Sequence, residues 1–240
     1  MRKKLFSLLL LVGVFLLGGF AWISFESSTQ TMAFSGTVQT LVIDAGHGGE
    51  DGGAVSITGV SESQINLSIA CKLEDILALY GVAPQMLRRE DISLHNDSAS
   101  TLREKKSSDL RNRVKAIEAV QAPILISIHQ NSYPEQRYHG AQVFYAPTAY
   151  SKELAEHMQA TLNQRLDPSN TRGCKQIPDS VYLMNHISCP AVLVECGFLT
   201  NPTEEALLRQ EDYQRKIAAC LTGALLTAPA PTNEFQEPSI

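Results

Sequence analysis

Three short, almost wholly apolar runs punctuate the chain: Leu41 to Ala45, Ile124 to Ile128 and Ala191 to Val194. Apolar runs of this length, bounded by turn residues, are expected of strands buried on both faces, as in a mostly parallel sheet. Between them the period changes to that of helices. Ile65, Ile69, Leu73, Ile76, Leu77 and Tyr80 recur at spacings of three and four, and predict a helix over 61–80. Ser61-x-x-Gln64 has the form of a capping box at its start, and Gly81 marks its end. Val82 to Leu87 then reads as a second strand, and the polar stretch 89–108 as a surface excursion. The next helix carries Leu110, Val114, Ile117 and Gln121 on one side. Ala141 to Tyr145 reads as a short strand. Ser151 is expected to cap a helix with Leu154, Met158, Leu162 and Leu166 on one face, and 167–180 to form a loop. Pro202-Thr203 opens a last helical region carrying Ile217, Leu221 and Leu225. Alternating strands and helices predict a single α/β domain, with a mostly parallel, mixed twisted sheet and helices on both faces.

Each apolar run ends close to a side chain that can do chemistry. The first leads to His47, the second to His129, and the third to Glu195. In open α/β sheets the carboxyl ends of the strands form the ligand crevice. Two imidazoles and a carboxylate delivered there suggest a metal centre with its general base. Catalytic zinc takes three protein ligands plus water. Glu62 is the best-placed third ligand, because the positive end of its helix favours an ionised carboxylate. Asp44, Glu50 and Asp51 are rivals, and Asp44 also suits the role of orienting an imidazole. Glu195 continues an aliphatic run, an expensive place for a carboxylate unless it works near a cation. His95, His139, His157 and His186 fall in loops or on a helix surface and are not expected to ligate.

Other chemistries lack their residues. The His-Gly-Gly triplet is similar to an esterase oxyanion loop, but no G-x-S-x-G elbow accompanies it. Asp51 stands where a dinucleotide loop needs its third glycine, and neither a Walker A motif nor an HExxH helix is present. The formal charge of −5 argues against nucleic acid. Cys71, Cys174, Cys189, Cys196 and Cys220 have no metal spacing and read as buried free thiols; Cys174–Cys189 is the one intrachain pair considered for an oxidising compartment.

The N-terminus changes the setting. Arg2-Lys3-Lys4 precede an apolar stretch from Leu5 to about Phe25, which fits a membrane anchor or, with Gly19-Phe20-Ala21 as a small-x-small site, a signal peptide. Either places the remainder outside the cytoplasm. The expected organisation is an anchor or signal over 1–25, a linker over 26–40, a catalytic domain over 41–227 and a frayed tail over 228–240.

Taken together, the segments resemble the zinc-dependent N-acetylmuramoyl-L-alanine amidases that cleave bacterial peptidoglycan. The resemblance runs through Ile43 to Gly49, Glu62 with Asn66-Leu67, Arg88 to Asp91, Arg113, Ser127 to Ser132, and Pro190 to Asn201. It implies one zinc ion on His47, Glu62 and His129, with Glu195 taking a proton from the attacking water and returning it to the departing amine. It thereby favours Glu62 over Asp44. The implied substrate is the amide between the lactyl group of N-acetylmuramic acid and the L-alanine of the stem peptide on a glycan strand. Ala45 and Gln130 depart from the family's usual residues without removing a functional group. The stretch between Arg88 and Arg113 is too short for the family's autoinhibitory helical insertion. The compact layout, with Asn131-Ser132-Tyr133-Pro134, is most similar to the germination-specific, spore-cortex branch. All three basic residues of the first 25 positions precede Glu26, so the remainder carries a net −8. That charge suits an anionic wall poorly, so membrane tethering or an accessory protein, which the sequence does not identify, is expected to supply localisation. Two rival functions remain: a non-catalytic module binding wall fragments or a partner, and a zinc carboxypeptidase-type peptidase acting on the stem peptide.

Overall fold

A computed structural model describes residues 39–230. The anchor or signal segment, most of the linker and most of the tail lie outside the described residues. Among those described, no helix is long and apolar enough to cross a membrane.

The three apolar runs become β1 (Thr40–Ala45), β3 (Pro123–Asn131) and β6 (Ala191–Phe198), which lie side by side and parallel. Their register sets Asp44 beside Ser127 and His129 beside Glu195. With β2 (Gln85–Met86), β4 (Gln142–Tyr145) and β5 (Lys175–Gln176) they form one six-stranded sheet in the order β2-β1-β3-β6-β4-β5. Only β4 runs against its neighbour β6, so the sheet is mixed as expected.

Helices cover both faces. Ile43, Ile126, Ile128, Val192 and Val194 point to one side, where they pack with α1 (Glu62–Leu79), α3 (Ser151–Arg165) and α6 (Glu211–Leu226). Val42, Leu125 and Leu193 point to the other, under α2 (Leu102–Glu118) and the single turn α4 (Tyr182–Asn185). The short α5 (Pro202–Leu208) starts at Asn201, whose side chain accepts from the Thr203 and Glu204 amides. Side chains alternate along a strand. Asp44, Ser127, His129 and Glu195 therefore continue the Val42, Leu125 and Leu193 rows, on the α2/α4 face at the carboxyl ends of the strands.

Local details differ from the sequence expectations, each for a physical reason. Ser61 occupies the N-cap of α1, but its side chain makes no capping bond and meets Ser63 Oγ at 3.2 Å instead. Tyr80 is 59% exposed, because α1 has ended; Gly81, at φ +73°, closes it, and the Val82 amide returns to the Leu77 carbonyl. The second strand shrinks to Gln85–Met86. The polar excursion ends early: Thr101 and Glu104 form a reciprocal capping box, so α2 starts at Leu102 and stops at Glu118, leaving Gln121 outside it. Tyr150, at φ +65°, is the N-cap of α3 rather than Ser151. Ser151 is buried and accepts from the Ala191 amide, which ties the helix start to β6. The expected 167–180 loop contains β5. All five cysteines are free thiols, Cys71 and Cys174 only partly buried.

Leu162 is buried in the larger core cluster, on a helix that contributes nothing to the strand-end crevice. Leu162→Ala is expected to lower stability by about 2–5 kcal/mol in urea denaturation, leaving the crevice chemistry intact.

Candidate metal centre

After Ala45 the chain turns through Gly46-His47-Gly48-Gly49 at the carboxyl edge of the sheet. His47 adopts φ +62°, a conformation uncommon for a residue with a side chain. The glycines are required by space as well as by torsion. A Cβ on Gly46 would lie 2.2 Å from the His129 ring. One on Gly53 (φ +69°) would lie 2.6 Å from Glu62 Oε2 and 2.7 Å from the His47 ring. The backbone thus forms a wall that only Cα atoms without a Cβ can make, and the two imidazoles and the carboxylate pack against it.

Glu62 is the first residue of α1 and is 4% exposed. Its Oε1 accepts from the Gln130 amide at 3.1 Å and Asn66 Nδ2 at 3.2 Å; its Oε2 accepts from the Ala54 amide at 3.0 Å. His129 Nδ1 stands 2.9 Å from Oε1, and His47 Nε2 stands 3.4 Å from Oε2. One ligand atom from each of His47, Glu62 and His129 falls within 4.8 Å of the others. A tetrahedral centre with bonds of roughly 2.0–2.2 Å needs ligand atoms roughly 3.3–3.6 Å apart. Two imidazoles and one carboxylate at this spacing fit a zinc-like dication. His47 Nδ1 meets Asp51 Oδ2 at 3.0 Å, which fixes the tautomer and leaves Nε2 for a ligand. Lys106 Nζ meets the same Asp51 oxygen at 3.2 Å.

The structure therefore gathers three of the sequence-derived candidates, and register brings the fourth, Glu195, beside His129. Glu195 Oε2 is buried and has no hydrogen-bond partner among the described residues. Burial pushes this carboxyl up to about 7; the neighbouring Glu62 charge adds to the rise, and His129 and His47 oppose it. The rivals of Glu62 are otherwise engaged. Asp44 pairs with the buried Arg113 and accepts from Ser127 Oγ at 2.6 Å, so the imidazole-orienting role expected of it falls to Asp51. Glu50 is at the surface, paired with Lys105. His95, His157 and His186 bond to Ser93, Thr227 and the Tyr182 carbonyl, and His139 is exposed; none joins the cluster.

Two buried arginines have no role that sequence reasoning assigns. Arg113 is held by Asp44 and Asp109, and donates to the Ala45 and His47 carbonyls. Its signal was available: Asp109 and Arg113 lie four apart on one helix face. Arg88 comes shortly after the β2 strand and donates to the Ala45 and Gly46 carbonyls. His47 and His129 also border an open cleft between α2 and α4, walled by Leu110, Val181, Tyr182 and Leu183.

The carboxylates shape the proton inventory of the metal-free site. Burial pulls the His47 pKa down, but its bonds to Asp51 and Glu62 outweigh this and raise it to about 9. The bond to His47 holds Asp51 below the usual carboxylate range, and both imidazoles hold Glu62 there despite its burial. A raised imidazole pKa means that the protonated form persists up to about 9, whereas an ordinary histidine is neutral above 6.5. A divalent cation must displace that proton. Zinc uptake at about pH 8 is therefore expected to release about one proton per ion, and affinity to fall as pH drops below about 9. Calorimetric titration in buffers of different ionisation heat measures the release; none at that pH would contradict the assignment of His47 as a proton-competing ligand.

Comparison with known proteins shows what the chain is similar to. Residues 41–227 match the Amidase_3 family, described as N-acetylmuramoyl-L-alanine amidase. The germination-specific N-acetylmuramoyl-L-alanine amidase of Bacillus subtilis (strain 168) is 35% identical over 231 residues, covering 94% of this chain and 95% of that protein. The CwlD amidase from Clostridioides difficile, solved in complex with the GerS lipoprotein, superposes with a TM-score of 0.74 at 38% identity, over 78% of this chain and 95% of that one. An N-acetylmuramoyl-L-alanine amidase from Clostridium difficile 630 gives 0.67 at 30% identity, again over 78% and 95%. The chain belongs to the N-acetylmuramoyl-L-alanine amidase family.

Proposed function

We propose that the protein is an N-acetylmuramoyl-L-alanine amidase that binds one zinc ion through His47, Glu62 and His129 and uses Glu195 as its general base and acid. The convergence of His47 Nε2, the Glu62 carboxylate and His129 Nδ1, with Glu195 across the register from His129, carries this reading. The bond cleaved is the amide between the lactyl group of N-acetylmuramic acid and L-alanine of the stem peptide. The chemistry that zinc supplies when bound is Lewis acidity toward an amide carbonyl and toward water. Glu195 supplies the proton traffic. Its carboxylate accepts a proton from the attacking water and hands it to the alanine nitrogen, which cannot leave as an amide anion. Burial suits it for both steps, because a carboxyl with raised proton affinity takes a proton readily and holds it until the amine departs. Asp51 keeps the His47 ring oriented, and the three donors on Glu62 keep its carboxylate facing the imidazoles.

The same reading sets the location. The substrate lies outside the cytoplasm, so the apolar segment 1–25 exports the domain as a signal or tethers it to the membrane, and 41–227 is the catalytic domain. Likeness to a germination-specific relative supports a role in the spore cortex. Likeness to an amidase solved with a lipoprotein supports an accessory protein for this chain also.

Mass spectrometry of digested muropeptides tests the reaction. Stem peptides released with an intact N-terminal L-alanine are expected; truncated stems would indicate a peptidase, and unchanged material a binding module. Glu195→Gln is expected to retain stoichiometric zinc and lose turnover by about 100-fold or more, and full activity in that variant would remove Glu195 from the mechanism. His129→Ala is expected to bind less than one zinc per chain by elemental analysis, and full occupancy would refute its ligation.

A further inference from the structure

Arg88 is a fully buried side chain with no carboxylate within hydrogen-bond distance; its nearest acid, the exposed Asp91, lies 3.9 Å away. Burying a cation is costly unless its hydrogen bonds are well satisfied, and here backbone carbonyls alone satisfy it. Nε donates to Ala45 O at 2.8 Å, and Nη1 to Glu90 O at 3.0 Å. Nη2 donates to two carbonyls at once, Gly46 O and Ser63 O, each at 3.0 Å. Gly46 immediately precedes His47, and Ser63 comes directly after Glu62. One nitrogen thus ties together the two chain segments that deliver two of the three ligands.

A staple that merely satisfied spare carbonyls would have no reason to select these two. Asn66 repeats the connection: its Nδ2 reaches Gly46 O and Glu62 Oε1, both at 3.2 Å. Nor does the turn have slack to find the geometry by itself. A Cβ on Gly48 would lie 2.2 Å from the Ile92 carbonyl and 3.1 Å from Arg88 Nε, so the 88–92 segment is pressed against the turn. Arg113 braces the opposite side through the Ala45 and His47 carbonyls, but Asp44 and Asp109 anchor it. Arg88 has no such anchor, and its bonds go almost wholly to the ligand-bearing segments.

We propose that Arg88 is a positioning residue of the metal centre, setting the separation of His47 and Glu62 by holding the Gly46 and Ser63 carbonyls on one guanidinium nitrogen. This rests on the reading of His47 and Glu62 as ligands. The planar fork holds this span while its other nitrogens grip the Ala45 and Glu90 carbonyls. Lysine would preserve the charge, but its single ammonium on a flexible stem cannot hold three segments in fixed relation. Arg88→Lys therefore separates geometry from charge, and Arg88→Gln keeps two donors without charge.

Zinc affinity, by competition with a chromophoric chelator, and the visible absorption of the cobalt(II)-loaded protein are measured on full-length wild type, Arg88→Lys, Arg88→Gln and Leu162→Ala. Each protein is melted to confirm cooperative folding. The Arg88 variants are expected to melt cooperatively, to bind zinc about 10–100-fold more weakly, and to show an altered cobalt spectrum. Leu162→Ala is expected to lose stability while keeping both metal readouts. Wild-type affinity and spectrum in a folded Arg88 variant would overturn the proposal. An equal weakening in Leu162→Ala, or failure of both Arg88 variants to fold, would do the same by making the effect one of general stability. A wild-type protein that binds no zinc would instead sink the metal assignment, and this proposal with it.

Discussion

A carboxylate buried at the start of a helix is the constraint around which this domain is arranged. Glu62 is almost inaccessible, and its charge is tolerated because two backbone amides and an asparagine side chain donate to it and two imidazoles face it. These groups come from four separate stretches of chain. The Ala54 amide lies in the loop before α1, the Gln130 amide on β3, Asn66 one turn along the helix, and the imidazoles on two different strand ends. Removing any of them would leave the charge less well compensated in a poorly hydrated place. The sheet register, the glycine turn and the start of α1 must therefore agree to within fractions of an ångström.

The sheet makes that agreement possible. Parallel strands bring their carboxyl ends to one edge, and two-faced burial leaves the strands little freedom to slip. Register then does chemical work, because His129 and Glu195 are neighbours on adjacent strands. The difference between the two acids comes from their surroundings. Glu62 is surrounded by donors and stays ionised, whereas burial without a partner on Oε2 gives Glu195 a raised proton affinity. One carboxylate is thereby suited to holding a cation and the other to moving a proton.

The departures from sequence expectation have physical causes. Ser61 and Ser151 both have the character of capping residues, yet neither side chain caps a backbone amide of its own helix. Ser61 meets Ser63, while Ser151 receives the Ala191 amide from a strand 40 residues away. Tyr80 continues an apolar period beyond the point where the helix stops. Local pattern states what a segment can do alone; Ser151 was decided by a strand that arrives from elsewhere, and Ser61 and Tyr80 by their immediate neighbours. The reverse also occurs: Thr101 and Glu104 form the capping box that the polar character of 89–108 concealed.

From the sequence alone came the α/β class, the strands that run through the core and the side chains standing at their ends, because burial on two faces demands apolar runs and those runs have visible limits. It also supplied Glu62 as the favoured third ligand, through its place at a helix start. The division of labour among the acids was settled only in three dimensions. Asp44, Asp51 and Glu62 are chemically near-equivalent as letters, and each becomes different once one faces a guanidinium, one an outer ring nitrogen and one an inner pair. Arg88 lay furthest from reach, since its partners are backbone carbonyls, which every residue carries and no sequence distinguishes.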